Sequence, residues 1–411
     1  LERLIELEKL AGRPEKAAEY AERQQRVRRG LPLVTEPEGY FIKSLDPDGT
    51  RHGVFGAAKH GYFEASPNHD AIAFRVVDDE QAKKIYNKIV SIPELRRHTV
   101  IIANEPSLDD MYESPDKSIW VHGHWVNGGH WSTCEGRMIL AYFRLGQYDD
   151  ARRSFEHILT FARRFRMDNP LTDFGNNVYQ PHKPINICYD TFAPAAAMIR
   201  GLFEFLYCAD GVTLIPHIPS GITSLELHDP FRLGEKRLFL SVYGTGPITD
   251  VRINKKKWQQ FTADSVTLPY ADIPATARVM ILRSEAKPSR STKKTTPLAE
   301  KRVQRAKRLI ENAPAYAAAY PNLTPLLELA PHALKHYETY FNKPTQSPYL
   351  AAHARVVLEA VVAAFERADM QAKNLLPPLP PESQQAADQS YIDTAVHLYE
   401  GLTAVIEKTK K

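Results

Sequence analysis

"ADGVTLIPHIPSGITSLELHDPF", residues 209 to 231, is where the hydrophobic period of the chain changes. Upstream of it apolar residues recur at three- and four-residue intervals, the spacing of a helix face. Downstream they alternate, the spacing of a strand. In "KRLFLSVYG" (236–244) Leu238, Leu240 and Val242 take every second position. "ITDVRIN", "DSVTLPY" and "ARVMILRS" follow at intervals of roughly ten residues, with Gly, Pro, Asn and Asp between them. Short strands at that spacing predict an antiparallel β-sandwich over residues 211–286, in a chain that is otherwise mainly α.

The first 210 residues read as paired helices joined by long, aromatic-rich loops. Leu1, Leu4, Ile5 and Leu7 open one amphipathic helix. Pro14 opens the next and Gly30 closes it, matching the preference for Pro at a helix start and Gly at its end. Ala82, Ile85 and Ile89 predict another. Met138, Ile139, Tyr142 and Phe143, then Gly146, then Ala151, Phe155, Ile158 and Leu159 predict an αα-hairpin with a short turn. A last helix is expected from about Pro194 to Tyr207. Beyond the strands, "KPSRSTKKTTP" (287–297) is polar, basic and aperiodic, and reads as a linker. Residues 298–411 return to a helical pattern, interrupted by the stiff spacer "PPLPP" (377–381). This Ala-rich extension carries no cluster of chemical residues and is expected to serve packing, or self- or partner-association.

Hydrophobic residues make up 43% and charged residues 25% of the chain, ordinary soluble-protein usage, and the net charge of +4 comes without a basic tract interleaved with aromatics. Nucleic acid is therefore not an expected partner. Cys134, Cys188 and Cys208 lack CxxC spacing, so neither a disulfide framework nor a zinc–cysteine site is indicated. No apolar run approaches the roughly 20 residues of a membrane-spanning helix. The chain opens with Leu1 inside a helical pattern, so the natural N-terminus is expected upstream, and the compartment, cytoplasmic or secreted, stays open.

Three stretches carry a resemblance. "WVNGGHWSTCEGRMILAYFRLGQYDDARRSFEHI" (125–158) places an Asn-Gly-Gly loop before a helix, a Gly turn and a second helix that opens with an Asp-Asp-Ala run. "GYFIKSLDPDGTRH" (39–52) followed by "FEASPNHDAIAFRVVDDEQAKKIYNKI" (63–89) is a loop-and-helix unit, and "CYDTFAPAAAMIRGLFEFLYCADGVTLIPHIPSGITSLEL" (188–227) runs from a helix into the strands, with "GPITDVRINKKKW" beyond. Over residues 1–286 the chain resembles the six-hairpin (α/α) toroid glycosidases and their phosphorylase cousins. The resemblance implies the later part of a toroid over residues 1–210, then a β-sandwich. About half of the twelve helices of a complete toroid are countable, and in several of these families the general acid lies upstream. The implied activity is inverting glycoside hydrolysis. A sugar phosphorylase of the same architecture and a non-catalytic carbohydrate-binding or scaffold protein are the alternatives.

The candidate site begins with "HGHWVNGGHWSTCEG" (122–136). His122, His124 and His130 could approach a metal, but the carboxylate that HxH sites place shortly afterwards is missing, so no metal and no other cofactor is expected. Sugar suits these residue types better. Pyranose rings stack their C–H faces on indoles and offer hydroxyls at the rim, which points to Trp120, Trp125 and Trp131 with His124, Asn127 and His130. The same tryptophans could equally be core aromatics. Gly128 and Gly129 allow close backbone approach to a ligand or a plain turn. Glu135 fits two roles: the third residue of a capping box opened by Ser132, or a carboxylate at the inner end of a toroid helix, acting as general base or binding hydroxyls. In "HGYFEASPNHD" (60–70), Glu64 stands among apolar neighbours that would raise its pKa into a range useful for acid–base work. Asn68 or Ser66 would cap the helix that follows. In "NICYDTFAP" (186–194), Tyr189 and Asp190 either line the pocket floor or, for Asp190, cap a helix. Asp70 and Asp190 are reserve carboxylates.

Overall fold

A computed structural model describes residues 1–96, 99–108, 122, 127–162, 193–219, 221–227, 230–284, 298–341, 348–376 and 380–409. The architecture is mixed α and β, and it divides into two compact units: the helices and strands up to Arg283, and the helices from Leu298 onward. The expected linker, 287–297, lies outside the described residues.

In the first unit α1 (Glu2–Leu10) and α2 (Pro14–Gly30) form a hairpin, with Pro14 in the first turn of α2. Helix α1 buries none of its residues, so its leucines stay exposed. The β1 (Ser44–Leu45) and β2 (Arg51–His52) ribbon leads to β3 (Phe63–Glu64) and α3 (Ala65–Ala73). Helix α4 (Asp79–Val90) follows. Asp78 caps it by accepting the Gln81 N–H at 2.8 Å, and its Ala82, Ile85 and Ile89 face the core as their spacing predicts. After β4 (Asn104–Glu105) come α5 (Ser132–Arg144), α6 (Tyr148–Ala162) and α7 (Ala193–Phe203). The turn between α5 and α6 is made at Gly146, whose φ of 70° is the left-handed value that ends helices. Ile72, Ile85, Ile89, Leu95, Ile101, Met138, Ile139, Tyr142 and Phe143 belong to one buried cluster with Ala151 and Ala197. Helices α5 and α7 approach closely because Gly201 has no side chain: a Cβ there would stand 2.2 Å from the Phe143 ring.

Helix α7 ends at Phe203 rather than near Tyr207, and the strands begin at once with β5 (Phe205–Cys208) and β6 (Gly211–Leu214). Phe205 and Tyr207 already alternate in "FEFLY", so the change of period falls earlier than residue 209. The remaining strands are β7 (Ser224–Glu226), β8 (Phe231–Leu233), β9 (Lys236–Tyr243), β10 (Ile248–Ile253), β11 (Lys256–Lys257), β12 (Val266–Pro269) and β13 (Thr276–Arg283). One sheet runs β11-β10-β13-β9-β7 with β8 also on β9, and a second runs β12-β6-β5. The expectation of a wholly antiparallel arrangement is corrected at its centre. β13 inserts between β10 and β9 and pairs with β9 in parallel, Leu240 opposite Val279. The chain makes a β10–β11 ribbon and β12 before returning, which is the long crossover a parallel pair requires. Leu238, Leu240, Val242, Val251, Val279 and Ile281 of the first sheet share a core with Val212, Leu214, Val266 and Leu268 of the second.

The second unit comprises α8 (Leu298–Glu311), α9 (Ala313–Ala319), α10 (Pro325–Phe341), α11 (Pro348–Ala372) and α12 (Pro381–Thr409). Its core is built on Leu309, Leu326, Tyr337, Val357, Leu358, Val361, Phe365 and Leu402, together with buried alanines such as Ala330, Ala333 and Ala354. A buried ion pair, Arg367 Nη1 to Asp388 Oδ1 at 3.2 Å, joins α11 to α12. Among the described residues no helix is long and apolar enough to cross a membrane.

Candidate functional site

The site is organised by a short ribbon, residues 102–105. On one edge β3 pairs with β4, Glu64 opposite Asn104, and the Ala65 N–H donates to the Ala103 carbonyl at 2.8 Å. On the other edge Ile102 bridges to His130, and the Ala103 N–H donates to the Gly129 carbonyl at 3.0 Å. The strand end that carries Glu64 and the NGGH loop are thus the two flanks of one small sheet.

Glu64 closes β3 and immediately precedes α3, so the backbone changes course at its carboxylate. The residue is 7% exposed, and Lys43 Nζ donates to its Oε2 at 3.1 Å. Burial lifts the Glu64 pKa above the usual carboxylate range, while Lys43, a hydrogen bond from Ser66 and His69 pull against it. Beside it the Cys134 sulfur lies 3.9 Å from Ser66 Oγ. Burial pushes the Cys134 thiol up to about 11, so it is neutral at ordinary pH and not a thiolate nucleophile. His69 is buried with Nδ1 2.8 Å from Asp70 Oδ1, and Asp70 Oδ2 accepts from Arg137 at 3.1 Å.

Asn68 is not a helix cap, and neither is Ser66: α3 begins at Ala65, with Glu64 at the cap position making no side-chain bond there. The Asn68 amide instead spans to Phe41, accepting its N–H and donating to its carbonyl, both at 2.8 Å, and donating also to the Glu64 carbonyl at 2.8 Å. Phe41 is two residues before Lys43, so this latch fixes the lysine's segment against the base of Glu64. Sequence reading missed Lys43 and gave Asn68 the wrong task. The available signal for Lys43 was a lone charge after the apolar run "YFI".

Glu135 is fully buried and does not form a capping box with Ser132. Helix α5 starts one residue earlier than the box requires, with Trp131 at the cap position, so Ser132 and Glu135 are out of register for it. One Glu135 oxygen accepts the Ile101 N–H at 2.5 Å, and the other bonds the Ser154 hydroxyl of α6. Burial is the dominant influence on this carboxyl. The Ile101 amide and Arg96 oppose it, Asp150 reinforces it, and the pKa is pushed up to about 8. Glu135 therefore holds the start of the 102–105 ribbon against two helices.

Asn127, expected at a sugar, is fully buried in the loop's own framework. Its Oδ1 accepts the Leu108 N–H at 2.7 Å and lies 3.3 Å from Asn104 Nδ2, while the Gly128 N–H donates to Asn104 Oδ1 at 2.8 Å. Gly128 adopts a φ of 74°, which this exchange of side-chain bonds requires. His130 and Trp131 are half-buried, between the ribbon and α5. His122 Nε2 stands 3.2 Å from Glu105 Oε2, and among the described residues no group of three or more His, Cys, Asp or Glu side chains is placed to hold a metal ion. Trp120, His124, Trp125, Tyr189 and Asp190 lie outside the described residues. A groove of about 510 Å³ opens elsewhere, lined by Arg28, Leu31, Pro37, Phe41 and Val76 among others, and none of the candidate residues lines it.

No protein-family model matches the chain, and no curated protein matches it.

Proposed function

We propose that the chain is the carbohydrate-processing part of an inverting glycoside hydrolase, a partial (α/α) toroid followed by a β-sandwich, with Glu64 as the proton-donating acid. The observation that carries this reading is the Glu64 environment. Burial raises the pKa of this carboxyl above the usual carboxylate range, the direction that an acid protonating a leaving glycosidic oxygen needs. Lys43 at 3.1 Å then steadies the carboxylate left behind. The NGGH loop, with His130 and Trp131, flanks the same ribbon and supplies polar and stacking surface for a sugar. Glu135 acts as a positioning residue through the ribbon. The base that activates water about 6.5–9.5 Å across the bond is then one of the reserve carboxylates, Asp70 or Asp190.

The test is hydrolysis of an oligosaccharide panel, with the product anomer read by NMR. The chain releases inverted product at a rate that added phosphate does not change. Glu64→Gln keeps the shape and the Lys43 contact but cannot supply a proton, so turnover falls at least ~10²-fold with the thermal midpoint nearly unchanged. Full turnover in Glu64→Gln, with lowered stability, would reduce Lys43–Glu64 to a structural ion pair.

A further inference from the structure

We propose that the groove between the end of α2 and the turn after α3 is a separate binding site for a small amphipathic carboxylate, with the apolar chain lying in the groove and the carboxylate on Arg28. The inference does not rest on the carbohydrate reading.

The walls follow from the local sequence. After Gly30 the chain tightens into the 3₁₀ turn Leu31–Val34, and Thr35 then bridges to Phe41. Thr35 and Phe41 both line the groove. On the other side α3 ends at Ala73, Arg75 takes a left-handed φ of 53°, and Val76 and Val77 follow as groove wall. Val77 belongs to the core of the first unit, whereas Val76 is 54% exposed. Leu31, Pro37, Phe41 and Val76 make the lining largely apolar, and its volume of about 510 Å³ falls within the roughly 300–1,000 Å³ of small-molecule pockets.

The polar side chains of the lining single out a carboxylate. The Thr35 hydroxyl donates to the Leu31 carbonyl at 2.8 Å, Gln81 Nε2 donates to the Gly39 carbonyl at 3.0 Å, and Arg51 donates to Glu36 Oε1. Arg51 does not itself line the groove, so the Glu36 charge is compensated from outside it. The remaining polar residue, Arg28, makes no hydrogen bond or ion pair among the described residues. An uncompensated guanidinium beside an apolar floor complements an anion joined to an apolar body. Its planar fork matches the two oxygens of one carboxylate. A phosphate dianion would call for a second cation, and among the described residues no other lysine or arginine lines the groove.

The test is calorimetric titration of the full chain with octanoate, using octanol as the uncharged probe and acetate as the probe without a chain. The parent binds octanoate, and binds octanol and acetate about tenfold or more weakly. Arg28→Gln lowers octanoate affinity by about tenfold or more, and Val76→Asp, which sets a like charge on the apolar wall, abolishes binding. Both positions are exposed, so the thermal midpoints of the two variants stay at the parent value. No octanoate binding by the parent, or equal binding by the parent and Arg28→Gln, overturns the site. A dimer in solution that Arg28→Gln dissociates, with octanoate unbound, would seat a second copy of the chain in the groove and overturns it as well.

Discussion

A Glu135→Gln variant becomes more stable than the parent chain as the pH is raised from about 5 to 8. The folded protein holds the Glu135 proton up to about pH 8, whereas an exposed glutamate releases it near 4.5. Between those values the folded state carries a proton that the unfolded state lacks, so parent stability is greatest below the lower value and declines as pH rises. At 1.36 kcal/mol per unit the whole decline is on the order of 5 kcal/mol. Glutamine reproduces the neutral carboxyl: its oxygen accepts the Ile101 N–H and its NH2 donates to the Ser154 hydroxyl. With nothing to titrate, the variant's profile lacks this slope. The two chains match near pH 5 and separate by several kcal/mol near pH 8, read as denaturation midpoints on the same buffer series. A variant that loses stability relative to the parent with rising pH would show Glu135 to be ionised in the folded state, and the interior site would need another account. Glu135→Ala separates support from titration: it leaves the Ile101 amide and the Ser154 hydroxyl unpaired in a closed interior, about 1–3 kcal/mol for each group, at every pH.

What could be read in advance divides by distance along the chain. Ala82, Ile85 and Ile89 predict α4, and Leu238, Leu240 and Val242 predict β9, because a repeating apolar face is a local property, and all six side chains are fully buried. The hairpin at Gly146 is equally local. Strand direction is not: no residue in β9 or β13 signals that they pair in parallel, since the decision lies in the route of the chain between them. Ser132 and Glu135 match a capping motif letter by letter, yet Ile101, 34 residues away, holds the glutamate instead. A hydrogen bond in a closed interior outweighs one at a helix end open to water. Asn68 was diverted in the same way, by Phe41 across 27 residues. The candidate site was legible as residue types, with Glu64 and the NGGH loop both singled out. Its framework was not legible: Asn104, Lys43 and the 102–105 ribbon act through pairings that sequence separation conceals.

Another concealed pairing sets the second large effect. Glu204, just after α7, accepts from Arg75 Nε at 2.6 Å and Nη2 at 2.9 Å across 129 residues, and lies 2.7 Å from His217 Nε2. Tyr148 at the start of α6 stands 3.3 Å from the other ring nitrogen of His217. Arg75 and Glu204 both adopt positive φ, 53° and 32°, a conformation that costs a side-chain-bearing residue about 1–2 kcal/mol. Each holds it because the bidentate pair joining the end of α3 to the start of the strands offsets the strain. Burial alone would raise the Glu204 pKa, but the hydrogen bonds from His217 and Arg75 and their charge overcome it and hold it at about 2. A depressed carboxylate contributes stability that is complete above the unfolded value near 4.5 and is lost as pH falls toward 2, on the order of 3 kcal/mol in all. Glu204→Ala removes the acceptor shared by Arg75 and His217 and leaves both half-enclosed beside a void. The expected loss is about 3 kcal/mol at neutral pH, the lower end for breaking a buried pair because Arg75 keeps some solvent. In a unit of this size that is a fall of roughly 6–12 °C in the thermal midpoint. The variant should also lose the parent's extra sensitivity between pH 4.5 and 2, since the group responsible is gone. A midpoint within a degree of the parent, or an acid profile identical to it, would mean that the α3–strand junction is held by apolar packing alone and that the left-handed turns at Arg75 and Glu204 are set by their neighbours.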